Sequence, residues 1–460
     1  MSFFAYSNEE NKELEQPSFY GSRSVSQQNN QQPPEKITFQ RRAIAPAIPI
    51  KNDVQSKNDL LGMSENSLLR TLDSSKVSTK IVLSLDKISR QEWLLAKKAS
   101  YYFERNENKQ TGLTDSVQGY HHTTMWDIAS DIGATLALEA LELITTVKAD
   151  VKLNRILTTL TTMPLYNDQL PNREYNTETG LPSGTKNNKN GNGWSALDIG
   201  RLLIWLEITI QQKPHFQKQV NIITKRWLLA RAVHKKTLYG TQYQKNDELY
   251  RQEGRLGYLQ YAAQGYQLAG LDVANSFIRD HTAIVNIDNI PLYIDARNVP
   301  FFTTDPYVLQ AIELGKNTAW WNQLNAIYQL HKQQYNQSDK LWIFAEDAIN
   351  KSPWFSYNNI YFYGKSWLST SSGGKLIENP QVFSNKIAFG LSVIFEDAFS
   401  DALRQAVIEN SRSSRVIPTG IYKNNAPNTS YNINTNSLIL VSLWYKSRGN
   451  KAILTPTTTN

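Results

Sequence analysis

Cysteine is absent from this 460-residue chain. That gap removes thiol nucleophiles, disulfide staples, zinc–thiolate sites and iron–sulfur clusters together. It does not fix a compartment, because a cysteine-free chain tolerates either redox environment. Long apolar runs are missing too. The best candidate, Trp126 to Val147, is interrupted by Asp131, Glu139 and Glu142. A membrane span needs about eighteen or more uninterrupted apolar residues, so this stretch reads as a buried amphipathic helix and the chain as soluble. The first ten residues, Met-Ser-Phe-Phe-Ala-Tyr-Ser-Asn-Glu-Glu, carry neither a basic n-region nor a long apolar core, so no ordinary signal peptide is expected.

Other chemistries are excluded by missing motifs. There is no Gly-x-x-x-x-Gly-Lys phosphate loop, no Gly-x-Gly-x-x-Gly after a strand and no Gly-x-Ser-x-Gly elbow. The six histidines form no His-Glu-x-x-His pattern, and the adjacent His121 and His122 point in different directions on a helix or strand. The Asp-x-Asp-Asp signature of terpene cyclases and the spacing of a calcium loop are likewise missing. No cofactor and no metal are expected. The net charge is +8 and the pI about 9.2, but the basic residues are scattered and not gathered in a stripe. That pattern describes a solvated basic surface, and no nucleic-acid partner is expected.

What is present suits one large folded unit. The chain is 40% hydrophobic with 22 Gly and 17 Pro. Residues 1–85 are rich in Gln, Asn and Ser and read as a disordered or loosely attached arm, within which 44–50 is suited to extended docking. Residues 86–450 form the folded domain and 451–460 a tail. From Ser89-Arg-Gln-Glu92, a capping-box pattern, eleven helix-length patterns follow: near 89, then 124–146, 150–162, 195–211, 214–230, 255–271, 304–314, 318–335, 383–395, 400–411 and 435–446. Strand-like pieces are few, chiefly a hairpin over 283–294 and a run over 359–363. The expected fold is all-α: a toroid of helical hairpins with one or two small β-hairpins in its loops. No fixed-period repeat is visible.

Polar groups recur where these apolar helices begin. Glu253-Gly-Arg255 precedes a helix bearing Tyr258, Trp126-Asp127 opens another, and Asp198 and Arg201 lie one turn apart on a third. Asp295 and Arg297 follow the hairpin, Glu346-Asp347 follows the apolar run 341–345, and Asn434 and Asn436 start the last helix. Such clustering suggests helix ends lining one shared cleft. Two long connections stand out. The segment 163–194 is punctuated by Pro and Gly, and 352–369 carries Trp354, Phe355, Tyr357, Tyr361, Tyr363 and Trp367. Rings of that kind stack on sugar faces while Tyr and Trp keep a polar tip for hydroxyls. Ordinary loop packing explains any single one equally well.

Several motifs in one order resemble a known bacterial family. They are Thr124-Met-Trp-Asp-Ile-Ala-Ser, Leu170-Pro-Asn-Arg-Glu-Tyr, Gly193-Trp-Ser-Ala-Leu-Asp-Ile-Gly-Arg, Glu253-Gly-Arg-Leu-Gly-Tyr, Asp305-Pro-Tyr, Ala345-Glu-Asp, Asn385-Lys-Ile-Ala-Phe-Gly and Asn434-Thr-Asn-Ser-Leu-Ile-Leu. The family is catalogued as domain of unknown function 3131, and the similarity covers roughly 90–450. Its helical pattern is similar to that of six-hairpin (α/α) glycosidases, including glucoamylase-like proteins and β-1,2-glucan-processing enzymes. The resemblance implies a bacterial envelope or periplasmic setting and an oligo- or polysaccharide partner. One departure matters: the family's Gly-Ile-Tyr-Glu is Gly420-Ile-Tyr-Lys423 here. A catalytic role for that Glu in relatives would imply glycan binding without cleavage in this chain.

Glycoside hydrolysis needs two carboxyl groups, roughly 6.5–9.5 Å apart in inverting enzymes and about 5–5.5 Å in retaining ones. Toroidal glycosidases of the kind this chain resembles commonly invert. Glu253 is the expected acid; Asp127, Glu346 and Asp347 compete as its partner. Trp126, Arg201, Arg255, Tyr258, Asp295, Arg297, Trp354, Tyr357, Trp367, Lys386, Asn434 and Asn436 are the candidate substrate contacts. Helix capping, first-turn dipole interactions and an Asp198–Arg201 ion pair are the structural alternatives. The expected function is a glycoside hydrolase cleaving a β-glucan or envelope polysaccharide. The alternative is a non-catalytic glycan-binding or structural protein that retains the cleft. The enzymatic reading requires these distant carboxylates to meet around one open pocket.

Overall fold

A computed structural model describes residues 83–183, 190–244, 247–297, 302–371 and 374–455. Almost all of the expected arm, including 44–50, lies outside the described residues. The first helix begins where its capping box predicts. Ser89 N donates to Glu92 Oε2 at 2.8 Å, and Glu92 N donates to Ser89 Oγ at 3.3 Å.

Eleven α-helices are found among the described residues: Arg90–Asn106 (α1), Met125–Ala140 (α2), Thr146–Thr162 (α3), Ala196–Gln212 (α4), Gln217–Arg226 (α5), Tyr258–Leu268 (α6), Asp305–Leu309 (α7), Thr318–Ser338 (α8), Asn385–Ile394 (α9), Ala398–Asn410 (α10) and Ile433–Ser447 (α11). The single run read over Trp126 to Val147 breaks after Ala140, and α3 restarts behind Thr145, whose hydroxyl accepts from Lys148 N at 3.3 Å.

The helices sort into two rings by burial. In α9 every residue is buried, and α2, α4 and α11 are buried almost throughout. A helix that is apolar all round belongs inside. By contrast α5 buries only Val220 and Ile223, the one-sided stripe of an outer helix. The inner ring runs α2, α4, α6, α7, α9, α11 and back to α2. A π-helical turn, Gln310–Leu314, extends α7. Tyr261 and Gln264 of α6 hydrogen-bond Glu313 and Gln310 on it, which closes the ring. Helices α1, α3, α5, α8 and α10 pack around the outside. The α4–α6 contact is unusually close. A Cβ on Gly265 would stand 1.9 Å from Gly200 O, and one on Gly200 would stand 2.4 Å from Ala262 O, so only glycine fits at either position.

Helices predominate, as expected, but strand content exceeds the one or two hairpins foreseen: among the described residues six small sheets decorate the ring. The hairpin read over 283–294 is present as Thr282–Ile287 and Ile290–Asp295, turning at Asp288 and Asn289 with φ of 49° and 66°. The aromatic loop is itself a hairpin, Phe355–Phe362 against Lys365–Thr370. A third pair, Thr237–Gln244 with Asp247–Gln252, went unread although Tyr239, Thr241 and Tyr243 alternate along it. Four two-residue strands also stitch the long connection over 163–194. The tail is docked as far as it is described: Ile453 is fully buried and its N–H donates to Ile312 O at 3.0 Å. No described helix is long and apolar enough to cross a membrane.

Candidate active site

Inner helices bring their N-terminal halves to one cleft. Its lining includes Trp126 from α2, Arg201 from α4, Tyr258 from α6, Asp305 from α7, Lys386 from α9 and Asn434 from α11. The empty space there is about 480 Å³, the open mouth included. Converging helix N-termini carry partial positive charge, which favours the carboxylates gathered between them. The expectation that helix ends share a cleft is therefore what the ring produces.

Three carboxylates and one ammonium form its acidic side. Residues 341–345 run beside Gln381–Ser384: Ile343 N donates to Val382 O at 2.8 Å and Ser384 N donates to Ile343 O at 3.1 Å. The next residues, Glu346 and Asp347, are thereby delivered to the cleft as extended chain. Glu346 N donates to Asp305 Oδ2 at 2.9 Å, tying this segment to the first turn of α7. Lys386 Nζ then bridges the group. It lies 2.8 Å from Asp305 Oδ1, 3.0 Å from Asp347 Oδ1 and 2.6 Å from Glu346 O. Asp347 also accepts from Gln381 Nε2 at 2.6 Å. Burial pushes the Asp347 carboxyl up to about 6; Lys386 opposes that rise and Asp305 adds to it. Burial works against the Lys386 ammonium, but the two aspartates outweigh it and hold its pKa above the ordinary lysine range.

The facing wall is aromatic and cationic. The Arg201 guanidinium sits 4.5 Å from the Trp126 ring centre, and Tyr258 meets Trp126 edge-on at 5.6 Å. Arg201 donates to Ser130 Oγ at 2.8 Å and its ion pair is with Glu313 at 3.2 Å. The partner expected for Arg201, Asp198 on its own helix, is thus replaced by an acid from the π-helical turn. Asn434 accepts from Ser130 Oγ at 2.7 Å and donates to Asp127 Oδ1 at 2.9 Å. Asp127 itself is fully buried, exchanging capping-box bonds with Thr124 of 3.1 and 3.2 Å. It supports the wall through Asn434 and is not part of the lining.

Glu253 lies elsewhere, contrary to its expected role. It is 0% exposed and outside the cleft lining. Its oxygens take Arg173 Nη2 at 2.6 Å and Ala196 N at 2.6 Å. The second bond satisfies an otherwise orphaned amide in the first turn of α4. Gly240 makes room for it, since a Cβ there would stand 2.2 Å from the Glu253 carboxyl carbon. An acid sealed under packing cannot reach a sugar, so Glu253 does not pair with Asp127, Glu346 or Asp347 across the cleft.

Other candidates also serve the framework. Asp295 is gripped by Arg297, Nε to Oδ1 at 2.8 Å, and Arg255 and Arg297 both bond Gln252. Asn436 donates to Asn432 O one turn back at 2.8 Å. Within the aromatic hairpin, Tyr357 packs on Phe355 at 5.0 Å and Trp367 on His331 and Phe344 at 5.0 and 5.2 Å. Neither these rings nor Trp354 line the cleft; Phe355 does. Lys423 is exposed and away from the lining. The lining residues not named as candidates are Asp305 and Asn432, with the apolar Leu309, Ala348 and Leu438; Phe355 was named only within the aromatic loop. Asp305 had a readable signal: Asp-Pro marks a helix start, here with Thr303 Oγ1 donating to Asp305 Oδ2 at 2.9 Å.

Residues 94–449 match the family described as protein of unknown function DUF3131. The chain belongs to that family. No curated protein matches it. Among solved structures it is similar to a provisionally named glucoamylase from Bacteroides fragilis, with a TM-score of 0.57 and 12% identity over 82% of this chain and 97% of that one. It is similar to an endo-β-1,2-glucanase from Chitinophaga pinensis in complex with sophorotriose and glucose, at 0.55 and 12% over 80% and 94%. An endo-β-1,2-glucanase from Talaromyces funiculosus with sophorose matches at 0.53 and 11% over 79% and 86%. At such identities the likeness is one of fold: this DUF3131 chain has the helical ring of glucoamylase-like proteins.

Proposed function

We propose that this protein is a glycoside hydrolase acting on a β-glucan, with Asp347 as proton donor and Glu346 as the carboxylate that activates water. The observation carrying the reading is the Lys386-bridged carboxylate group in an open cleft, in which Asp347 keeps its proton up to about pH 6. Hydrolysis needs one carboxyl protonated and one ionised, and unequal surroundings are what separate two such groups. Burial beside Asp305 retains the proton on Asp347, while Lys386 keeps the group from losing all its negative charge.

In the reaction, Asp347 passes its proton to the glycosidic oxygen as the bond to the anomeric carbon breaks. Glu346 takes a proton from the water that attacks that carbon. Trp126 and Tyr258 offer apolar faces to the sugar, and Asn434 and Arg201 offer donors to its hydroxyls. The sophorose-type ligands of the two endo-β-1,2-glucanases favour a β-1,2-linked glucan as the first substrate to try.

The test is reducing-end release from a panel of β-glucans. Wild type is expected to cleave one of them, with Asp347→Asn and Glu346→Gln each lowering kcat per folded molecule by about 10²–10⁴-fold. Oligosaccharide-dependent thermal stabilisation without turnover would instead establish a binding protein.

A further inference from the structure

Phe344, Ala345 and Glu346 belong to no helix or strand, and Asp347 and Ala348 pair with Ser356 and Phe355. Buried backbone outside regular structure needs partners from elsewhere. Here side chains supply them. His331 Nε2 accepts from Phe344 N at 3.2 Å, and Thr304 Oγ1 donates to Phe344 O at 2.8 Å. Asn358 Nδ2 donates to Ala345 O at 2.7 Å, and Asn428 Nδ2 to Ala348 O at 2.8 Å. Asp305 and Lys386 hold Glu346 N and O between them. The segment that carries both acids is thus gripped along its backbone by residues from separate elements.

The gripping groups are themselves fixed. His331, Thr304, Asn358 and Asn428 are all buried. His331 Nδ1 donates to Ile327 O one turn back at 2.9 Å, which makes Nε2 the acceptor. Burial lowers that imidazole to about 4, so it stays neutral and keeps this lone pair near pH 6, where Asp347 titrates. Ser356 Oγ donates to Asn358 Oδ1 at 2.6 Å, which turns the amide nitrogen of Asn358 toward Ala345. Asn428 Nδ2 also reaches Gln381 Oε1 at 2.6 Å, and Gln381 Nε2 donates to Asp347 Oδ2 at 2.6 Å. The network therefore runs from the backbone of the segment to the carboxyl itself.

We propose that His331, Thr304 and Asn358 are positioning residues of the reaction: from α8, the start of α7 and the aromatic hairpin they lock residues 344–346, so that Glu346 and Asp347 keep the separation that hydrolysis requires. None of the three lines the cleft, so they act through the segment and not on the sugar. A misplacement of about 1 Å caused by a change away from the chemistry can cost about 10²-fold in rate. The inference rests on the roles proposed for Glu346 and Asp347 and adds the groups that hold them in place.

The experiment takes the full chain and a β-glucan that wild type cleaves, with rates expressed per folded molecule well below the melting temperature. Asn358→Leu and His331→Leu are each expected to lower kcat by about 10–10²-fold while KM stays within about twofold of wild type. The pH profile adds a readout that a loss of folded protein would not move. Its alkaline limb, set near 6 by Asp347, should shift downward as water reaches the loosened carboxyl. His331→Gln, whose amide oxygen can replace Nε2 as acceptor, is expected to recover most of the rate lost in His331→Leu. Thr304→Val conserves shape and removes the hydroxyl that bonds Phe344 O. It carries the comparison if the leucine variants fail to fold, with kcat expected to drop by about fivefold at constant KM. An unchanged kcat and pH profile with a lower melting temperature would reduce these residues to bracing; that overturns the positioning role and leaves the glycan reading standing. A raised KM at constant kcat also overturns it, by assigning the residues to binding. If wild type cleaves no β-glucan, the positioning role falls together with the roles of Glu346 and Asp347.

Discussion

Lys386 and Asp347 meet as a buried ion pair at 3.0 Å, and the same ammonium holds Asp305 at 2.8 Å. Joining α9, α7 and the segment behind Glu346, this contact sets the acidic side of the cleft. Breaking a buried pair by deleting one partner costs about 3–5 kcal/mol, because the remaining charge is left uncompensated. Lys386→Met is therefore expected to lose about that much stability at neutral pH by denaturant unfolding. The loss should shrink in acid, where Asp347 is protonated. A penalty equal at pH 4 and pH 7 would contradict this account.

The stability of the protein should carry the signature of Asp347. Its folded value of about 6 lies above its ordinary 3.8, so the folded chain binds a proton more tightly than the unfolded chain. Stability from this group is complete below the ordinary value and is lost as pH rises through the folded value. The full loss is about 3 kcal/mol at 1.36 kcal/mol per pKa unit. Asp347→Asn should flatten that slope between pH 4 and 6, which urea midpoints across the range measure directly. If Asp347 is the proton donor, glucan cleavage by wild type also declines above about pH 6.

Glu253 supports a different expectation. Its carboxylate caps the start of α4 and pairs with Arg173 in a space that Gly240 leaves open. Glu253→Gln removes the charge and leaves Arg173 largely buried, so a stability loss of about 3–5 kcal/mol is expected. Turnover per folded molecule should change little at a temperature well below the melting point. A selective collapse of kcat with an unchanged melting temperature would return Glu253 to the reaction.

The contrast between Glu253 and Glu346 shows what the chain made readable. Both precede or follow apolar stretches, and both looked like acids at a helix mouth. Periodicity located the helices, including α9, whose run Ile387–Leu391 is apolar and whose every residue is buried. Capping chemistry located their starts, as at Ser89. Whether a carboxylate at a helix start faces a cleft or another strand depends on partners far away in the chain. Glu253 is claimed by Arg173, 80 residues earlier, while Lys386 reaches Asp305 and Asp347 from a separate helix. The sheet pairing that carries Glu253 inward, Tyr239 with Gln252, lacks the Asn-Gly or Asp-Gly turn that announces a hairpin. Asp305 was visible as the start of a helix but not as an acid of the site, because its partner Lys386 was read only as a substrate contact.

Lys423 offers a direct way to separate catalysis from binding. It follows the strand Gly420–Tyr422, whose Tyr422 turns inward to donate to Asn350 Oδ1 at 2.6 Å. The lysine itself is exposed and is not among the residues that line the cleft. An exposed charge without a buried partner contributes little, and surface substitutions of this kind usually fall within about 0.5 kcal/mol. Lys423→Glu should therefore leave both the melting temperature and the rate of glucan cleavage near wild type. Were the acidic residue at this position required for chemistry, the substitution would instead create or sharply raise turnover. That outcome would move the proton-handling pair away from Lys386 and toward the strand that ends at Tyr422.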